Sequence, residues 1–136
     1  MAELVSKVLG VLYVVTGGAG LVLGGDANRY HNVLHLVTGL VALSFGFAAS
    51  RSGAKRFCLA VGGAYLALGM LGFAVGNPAM DRLWVLGLMS LGTGDHVHHM
   101  VLGTIVLAGA IFTKRGGVQS RTGSIRRGQP ATGSEW

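Results

Sequence analysis

One cysteine, Cys58, occurs in 136 residues, so no disulfide can form within the chain. It stands at the charged end of the third apolar run, where a small packing residue is the plain reading. Charge is scarce as well: 12% of residues are charged against 51% hydrophobic, about half the charged share usual in a soluble domain. No charge falls in the middle of a long apolar run. That argues against an ion transporter, whose path needs ionisable groups or a broken helix at mid-depth. The HExxH pattern is absent, so metalloprotease chemistry lacks its general base. The basic C-terminal segment holds no aromatic residue except Trp136. The net charge of +6 therefore does not call for a single-stranded nucleic-acid partner, and no nucleic acid is expected.

What the chain has in quantity is apolar sequence. Four runs stand out: Leu4 to Leu23, interrupted only by Ser6 and Lys7, then Tyr30 to Ser50, Phe57 to Val75 and His96 to Thr113. The first three match the roughly 20 residues that cross a hydrocarbon core. The fourth is apolar only from Met100 onward, and spans if its first turn sits among headgroups. A soluble bundle needs a polar outer face on each helix, and these runs have none. The start, Met1-Ala2-Glu3 with one early Lys7, lacks a small-x-small cleavage site before a polar region, so the first run is expected to be retained. The expected fold is all-α, a four-transmembrane-helix bundle occupying residues 1–115, with hairpins at about 4–50 and 57–113. Residues 116–136 form a basic tail, expected to be disordered or to lie along anionic headgroups.

Lys7, Arg51, Lys55, Arg56, Lys114, Arg115, Arg121, Arg126 and Arg127 fall on one side of such a bundle, and only Arg29 and Arg82 on the other. The positive-inside rule then puts both termini in the cytoplasm. Asp26, Asp81 and Asp95 fall on the outer side. The outer segment Ala79 to Leu91 is too short and interrupted to span, and reads as an interfacial or re-entrant turn anchored by Trp84.

The chain also looks duplicated. A shift of 52 residues lays Gly10, Tyr13, Gly17, Gly20 and Gly24 on Gly62, Tyr65, Gly69, Gly72 and Gly76. A shift of 64 lays Val33, His35, Val37, Gly39 and Leu43 on Val97, His99, Val101, Gly103 and Leu107. Each repeat is a helical hairpin, and both begin on the same side, which implies a pseudo-twofold axis along the membrane normal. The glycines mark where helices 1 and 3 make tight contacts, within the chain or with a neighbour. Tyr13 and Tyr65 read as interfacial anchors or as partners in a helix–helix hydrogen bond.

Four of the five histidines can approach one another at the outer end. His31 and His35, four apart, share a helix face, while His96, His98 and His99 open the fourth run behind Asp95. By the repeat, His35 matches His99, His31 matches Asp95, and Asn32 matches His96. His31, His35, Asp95, His98 and His99 are the candidate metal ligands, and His35 and His99 the candidates for a haem or pigment, since imidazole suits zinc, copper or iron. The competing reading is capping and packing: Asp26 or Asn28 caps the second helix, Asp95 caps the fourth, and His35 and His99 bond across the bundle to hydroxyls or carbonyls. On the residues alone this structural reading is favoured, and with it no cofactor.

Leu9 to Gly24 (LGVLYVVTGGAGLVLG) and Asn32 to Gly39 (NVLHLVTG), with the second copies VGGAYLALGMLGFAVG and DHVHHMVLG, give the chain its family likeness. It resembles the DUF4383 family of small bacterial four-helix membrane proteins, over nearly everything up to Phe112. The asparagine of the first copy's motif, Asn32, is replaced by His96 in the second, while the histidine remains as His99. The resemblance implies the fold, the two copies and a bacterial inner-membrane location, and brings no activity with it. The expectation is a non-catalytic accessory or assembly subunit that associates with lipids, with other membrane subunits or with itself. The alternative is a small metal- or haem-binding redox protein. Reporter fusions after Ala27 and after Ser90 should report the non-cytoplasmic side and a fusion at Ser52 the cytoplasm; reversed signals would invert the topology.

Overall fold

The computed structural model describes residues 1–24, 29–75, 82–85 and 89–114. In chain order these form α1 (Ala2–Leu23), α2 (Arg29–Phe47), α3 (Arg51–Val75), β1 (Arg82–Val85), β2 (Met89–Gly92) and α4 (Thr93–Ile111). The helices α1, α2 and α3 are long and apolar enough to cross a membrane. In α4 the opening turns carry Asp95, His96, His98 and His99, which dilutes its apolar character. The distribution of side chains is inside-out relative to a soluble bundle. Val15, Phe47 and Phe112 are 61%, 72% and 72% exposed, while Ser6, His96, His99 and Thr113 are buried. Hydrocarbon accepts the apolar exterior without cost, and in it helix association depends on close packing and internal hydrogen bonds. The chain is a small helical membrane protein.

Two antiparallel hairpins, α1 with α2 and α3 with α4, carry most of the helix packing. Glycine makes each one close. A Cβ added at Gly17 would meet the backbone nitrogen of Leu36 at 2.6 Å and the carbonyl oxygen of Asn32 at 2.7 Å. One added at Gly69 would meet Met100 Cγ at 2.5 Å and the carbonyl oxygen of His96 at 2.7 Å. Gly10 faces Gly39 and Leu43 just as Gly62 faces Gly103 and Leu107, and Gly20 receives the Asn32 side chain as Gly72 receives the His96 ring. These are the same positions under the shifts of 52 and 64. The tight contacts are thus made within the chain, by α1 to α2 and by α3 to α4. Gly24 closes α1 as its C-cap, with its N–H donated to Gly20 O, and Gly76 lies outside the described residues.

Between the hairpins, residues 52 apart in the sequence meet each other. Ser6 Oγ lies 3.4 Å from Cys58 Sγ, and that thiol also donates to Ala2 O at 3.6 Å, so Cys58 serves as a small buried packing residue. The ring of Tyr13 sets its edge on that of Tyr65 at 5.6 Å. Flanking contacts are related in the same way but differ in bulk: Phe45 stacks on Phe57 at 4.8 Å, and the equivalent Gly109 takes in Val5, whose Cγ2 would be 2.6 Å from an added Cβ. At the ends, Ser50 Oγ accepts Gly53 N–H at 3.2 Å and caps α3. Thr113 Oγ1 accepts Ala2 N–H at 2.7 Å, and Lys55 Nζ donates to Thr113 O at 3.0 Å. These bonds tie the start of α1, the start of α3 and the end of α4 together.

In place of a re-entrant turn, the segment before α4 is a two-stranded antiparallel ribbon that pairs Leu83 with Leu91 and Val85 with Met89. Alternation sets Met89 and Leu91 on one face, where Leu91 is fully buried. A run too short to span still satisfies its backbone groups by pairing with itself. The Trp84 side chain expected as an anchor, the caps expected from Asp26 and Asn28, and the basic tail 116–136 lie outside the described residues.

Gly17→Leu should lower stability by roughly 1–3 kcal/mol or more, because the added side chain is driven into backbone of α2. Gly18→Leu should leave stability nearly unchanged, since nothing lies within 4 Å of that position. Thermal unfolding in detergent followed by circular dichroism measures both, and equal effects would mean that the glycine stripe does not set the hairpin.

Candidate metal centre

Four-residue spacing puts His31 and His35 one above the other on α2, with ring centroids 4.3 Å apart. His99 reaches them from the second turn of α4, at 5.8 Å from His31 and 6.4 Å from His35. One ligand nitrogen from each of the three lies within 4.8 Å of the other two. His31 and His99 are buried and His35 half-buried.

Tyrosines hold the rings. Tyr13 stacks on His35 at 4.4 Å with planes 12° apart, and Tyr65 stacks on His99 at 5.2 Å with planes 9° apart. These are similar contacts, one in each hairpin. Tyr13 is fully buried in the middle of α1, which corrects the reading of this residue as an interfacial anchor. Its flat face gains more against an imidazole inside the bundle than among headgroups. The sequence held a signal for this: tyrosine and histidine recur in both copies under the shifts of 52 and 64.

Each ring keeps one buried nitrogen without a hydrogen-bond partner: His31 Nε2, His35 Nε2 and His99 Nδ1. The capping-and-packing reading required a carbonyl, hydroxyl or cap for each ring, and these nitrogens have none. A buried polar atom left unpaired costs about 1–3 kcal/mol, so three together form an unusual cluster. A metal ion could take one nitrogen from each of these rings. Zinc–nitrogen bonds of about 2.0–2.1 Å place tetrahedral ligands about 3.3 Å apart, and small side-chain rotations bring nitrogens from within 4.8 Å to that spacing. Imidazoles with no thiolate or carboxylate favour zinc, copper, iron or nickel over magnesium or calcium.

The remaining histidine-end candidates stand differently. Asp95 Oδ2 accepts the Gly92 N–H at 2.9 Å, capping α4. His98 is exposed, 6.1 Å from His99 and 6.2 Å from Tyr13 between ring centroids. His96 is buried over Gly72 and against Phe73, at 5.6 Å between rings, with Nδ1 unpartnered. Among the described residues, the convergent set is therefore His31, His35 and His99.

The fold and this cluster define a small helical membrane protein with a three-histidine pocket. The chain belongs to the family described as a domain of unknown function (DUF4383), whose profile matches residues 3–112. Searches of curated proteins and of solved structures each gave no match.

Because its Nε2 has no protein partner, His35→Leu should change stability in the absence of added metal by less than about 1 kcal/mol or raise it. Zinc at a hundredfold excess over its Kd should stabilise the wild type by about 2.7 kcal/mol and the variant hardly at all. Thermal unfolding with and without zinc tests this, and a large loss of metal-free stability in His35→Leu would point to a structural histidine.

Proposed function

We propose that this protein binds a late first-row transition metal, zinc or copper, on His31, His35 and His99. The observation that carries the reading is the meeting of three imidazoles whose ligand nitrogens lie within 4.8 Å of one another while each ring has a buried nitrogen without a partner. An accessory role without a ligand, the reading favoured by composition, leaves those nitrogens unexplained. Three protein ligands leave a tetrahedral ion one open position, as in sites that bind a further molecule at the metal. Stacking on Tyr13 and Tyr65 fixes the ring planes and so preorganises the site.

We further read the two hairpins as tandem copies of one unit, with α4 completing a four-span bundle in a bacterial inner membrane and both termini cytoplasmic. The metal then sits in the half of the bundle nearer the outer side, supplied from that side. The repeat supplies the pair His35 and His99, and the departure from it at His31 supplies the third ligand.

Protein purified without chelator should retain about one zinc or copper per chain by elemental analysis. His31→Ala, His35→Ala and His99→Ala should each lower retention at least tenfold, while His98→Ala, a flanking exposed residue, should not. Wild type without metal even after incubation with equimolar zinc or copper would refute the proposal.

A further inference from the structure

A cavity of about 310 Å³ lies between α2 and α3 and counts all three histidines in its lining. That is the lower bound for pockets that hold a small organic ligand, about 300 Å³. Leu34, Leu68 and Leu91 are among its apolar walls, β2 contributes Met89 and Leu91, and among the described residues none that borders it is charged. The hydrogen-bonding groups in its lining are the three imidazoles, Thr38 and Tyr65. Among the described residues the other hairpin junction is lined differently. In the related fissure between α1 and α4 there is a hollow of about 180 Å³ with aliphatic lining only. There the equivalent of Leu34 is His98, whose ring stacks on Tyr13 at 6.2 Å, and the equivalent of Thr38 is Leu102. Packing two copies of one hairpin does not by itself leave an opening onto the histidines; the sequence differences between the copies do.

We infer that this cavity binds a neutral, lipid-soluble molecule with an oxygen-bearing ring, a quinone or quinol, whose oxygen addresses the histidine cluster. The described lining offers no cation to a phosphate or carboxylate head, and is mostly apolar. The aliphatic walls suit a hydrocarbon tail, and the flat Tyr65 and His99 rings suit a planar head. The position between two helices with apolar exteriors lets such a molecule arrive from the lipid phase. The inference rests on the metal proposal in one respect: the oxygen takes the coordination position that three imidazoles leave open.

The probe is a benzoquinone with a ten-carbon tail, and decanol controls for the tail. Each is titrated calorimetrically into detergent-solubilised protein that is zinc-loaded or metal-free, with zinc content measured on the same samples. Zinc carries no redox change, so the heat reports binding alone. The zinc-loaded protein should bind the quinone at least tenfold more tightly than decanol. Ala64→Trp, at the exposed mouth of the cavity, should weaken quinone binding at least tenfold while zinc stays at one per chain. Ala64→Leu serves if the tryptophan variant does not fold. Equal affinity for quinone and decanol, or unchanged quinone binding in a folded Ala64 variant, overturns the inference. If the protein holds no zinc, the metal proposal has failed by its own measurement. Selective, Ala64-sensitive quinone binding to metal-free protein then still upholds the cavity assignment, and its absence overturns that too.

Discussion

The structure depends on how closely two helix backbones approach inside each hairpin. Gly10 and Gly39, and again Gly62 and Gly103, sit so near the opposing helix that a Cβ at any of them would strike atoms of it. In hydrocarbon no hydrophobic effect drives helices together, so this van der Waals contact between backbones is the main cohesive term. It also fixes register. With Gly17 pressed against Asn32 and His35 of α2, His35 can sit only in the layer where Tyr13 meets it. The same lock in the second hairpin puts His99 beside Tyr65.

From that register follows an interior unlike that of a soluble bundle. Polar side chains are collected around the axis between the hairpins, and aliphatic ones face outward. Most interior and helix-borne hydroxyls are satisfied locally. Thr16, Ser44 and Thr104 each donate to the carbonyl four residues back, and Thr113 does the same while accepting from Ala2. Against that background four histidines each keep a buried nitrogen without a partner, three of them, His31, His35 and His99, in one cluster and the fourth, His96, over Gly72. Local conflicts of this kind are expected at functional or strained sites.

Near-symmetry brings like residues together, as with Tyr13 and Tyr65 or His35 and His99, and departures from it create what is specific. Where the first copy has His31, the second has Asp95, which turns to the start of α4 and caps it. Three imidazoles converge where strict repetition would give an even number. Leu34 and Thr38 leave the α2–α3 fissure open to them, while the second copy places His98 and Leu102 at the matching positions. A pair of identical hairpins would have neither the third imidazole nor this difference between the two described fissures.

The sequence alone determined the apolar runs, the hairpin pairing and the register between the copies, because hydropathy and a constant offset are properties of the linear chain. It also placed His35 and His99 at one depth, since 64 residues separate both them and the glycines beneath them. Only the tertiary structure decided which candidate ligands converge. Ring orientation depends on the rotation of α2 and α4 about their axes, which the glycine contacts set, and on the tyrosines that cross from α1 and α3. It decided, too, that Arg82–Val85 pairs with Met89–Gly92, because two four-residue runs carry too little periodicity to separate a ribbon from a turn. The cavity exists only where α2, α3 and β2 meet, and no local stretch of sequence specifies that meeting.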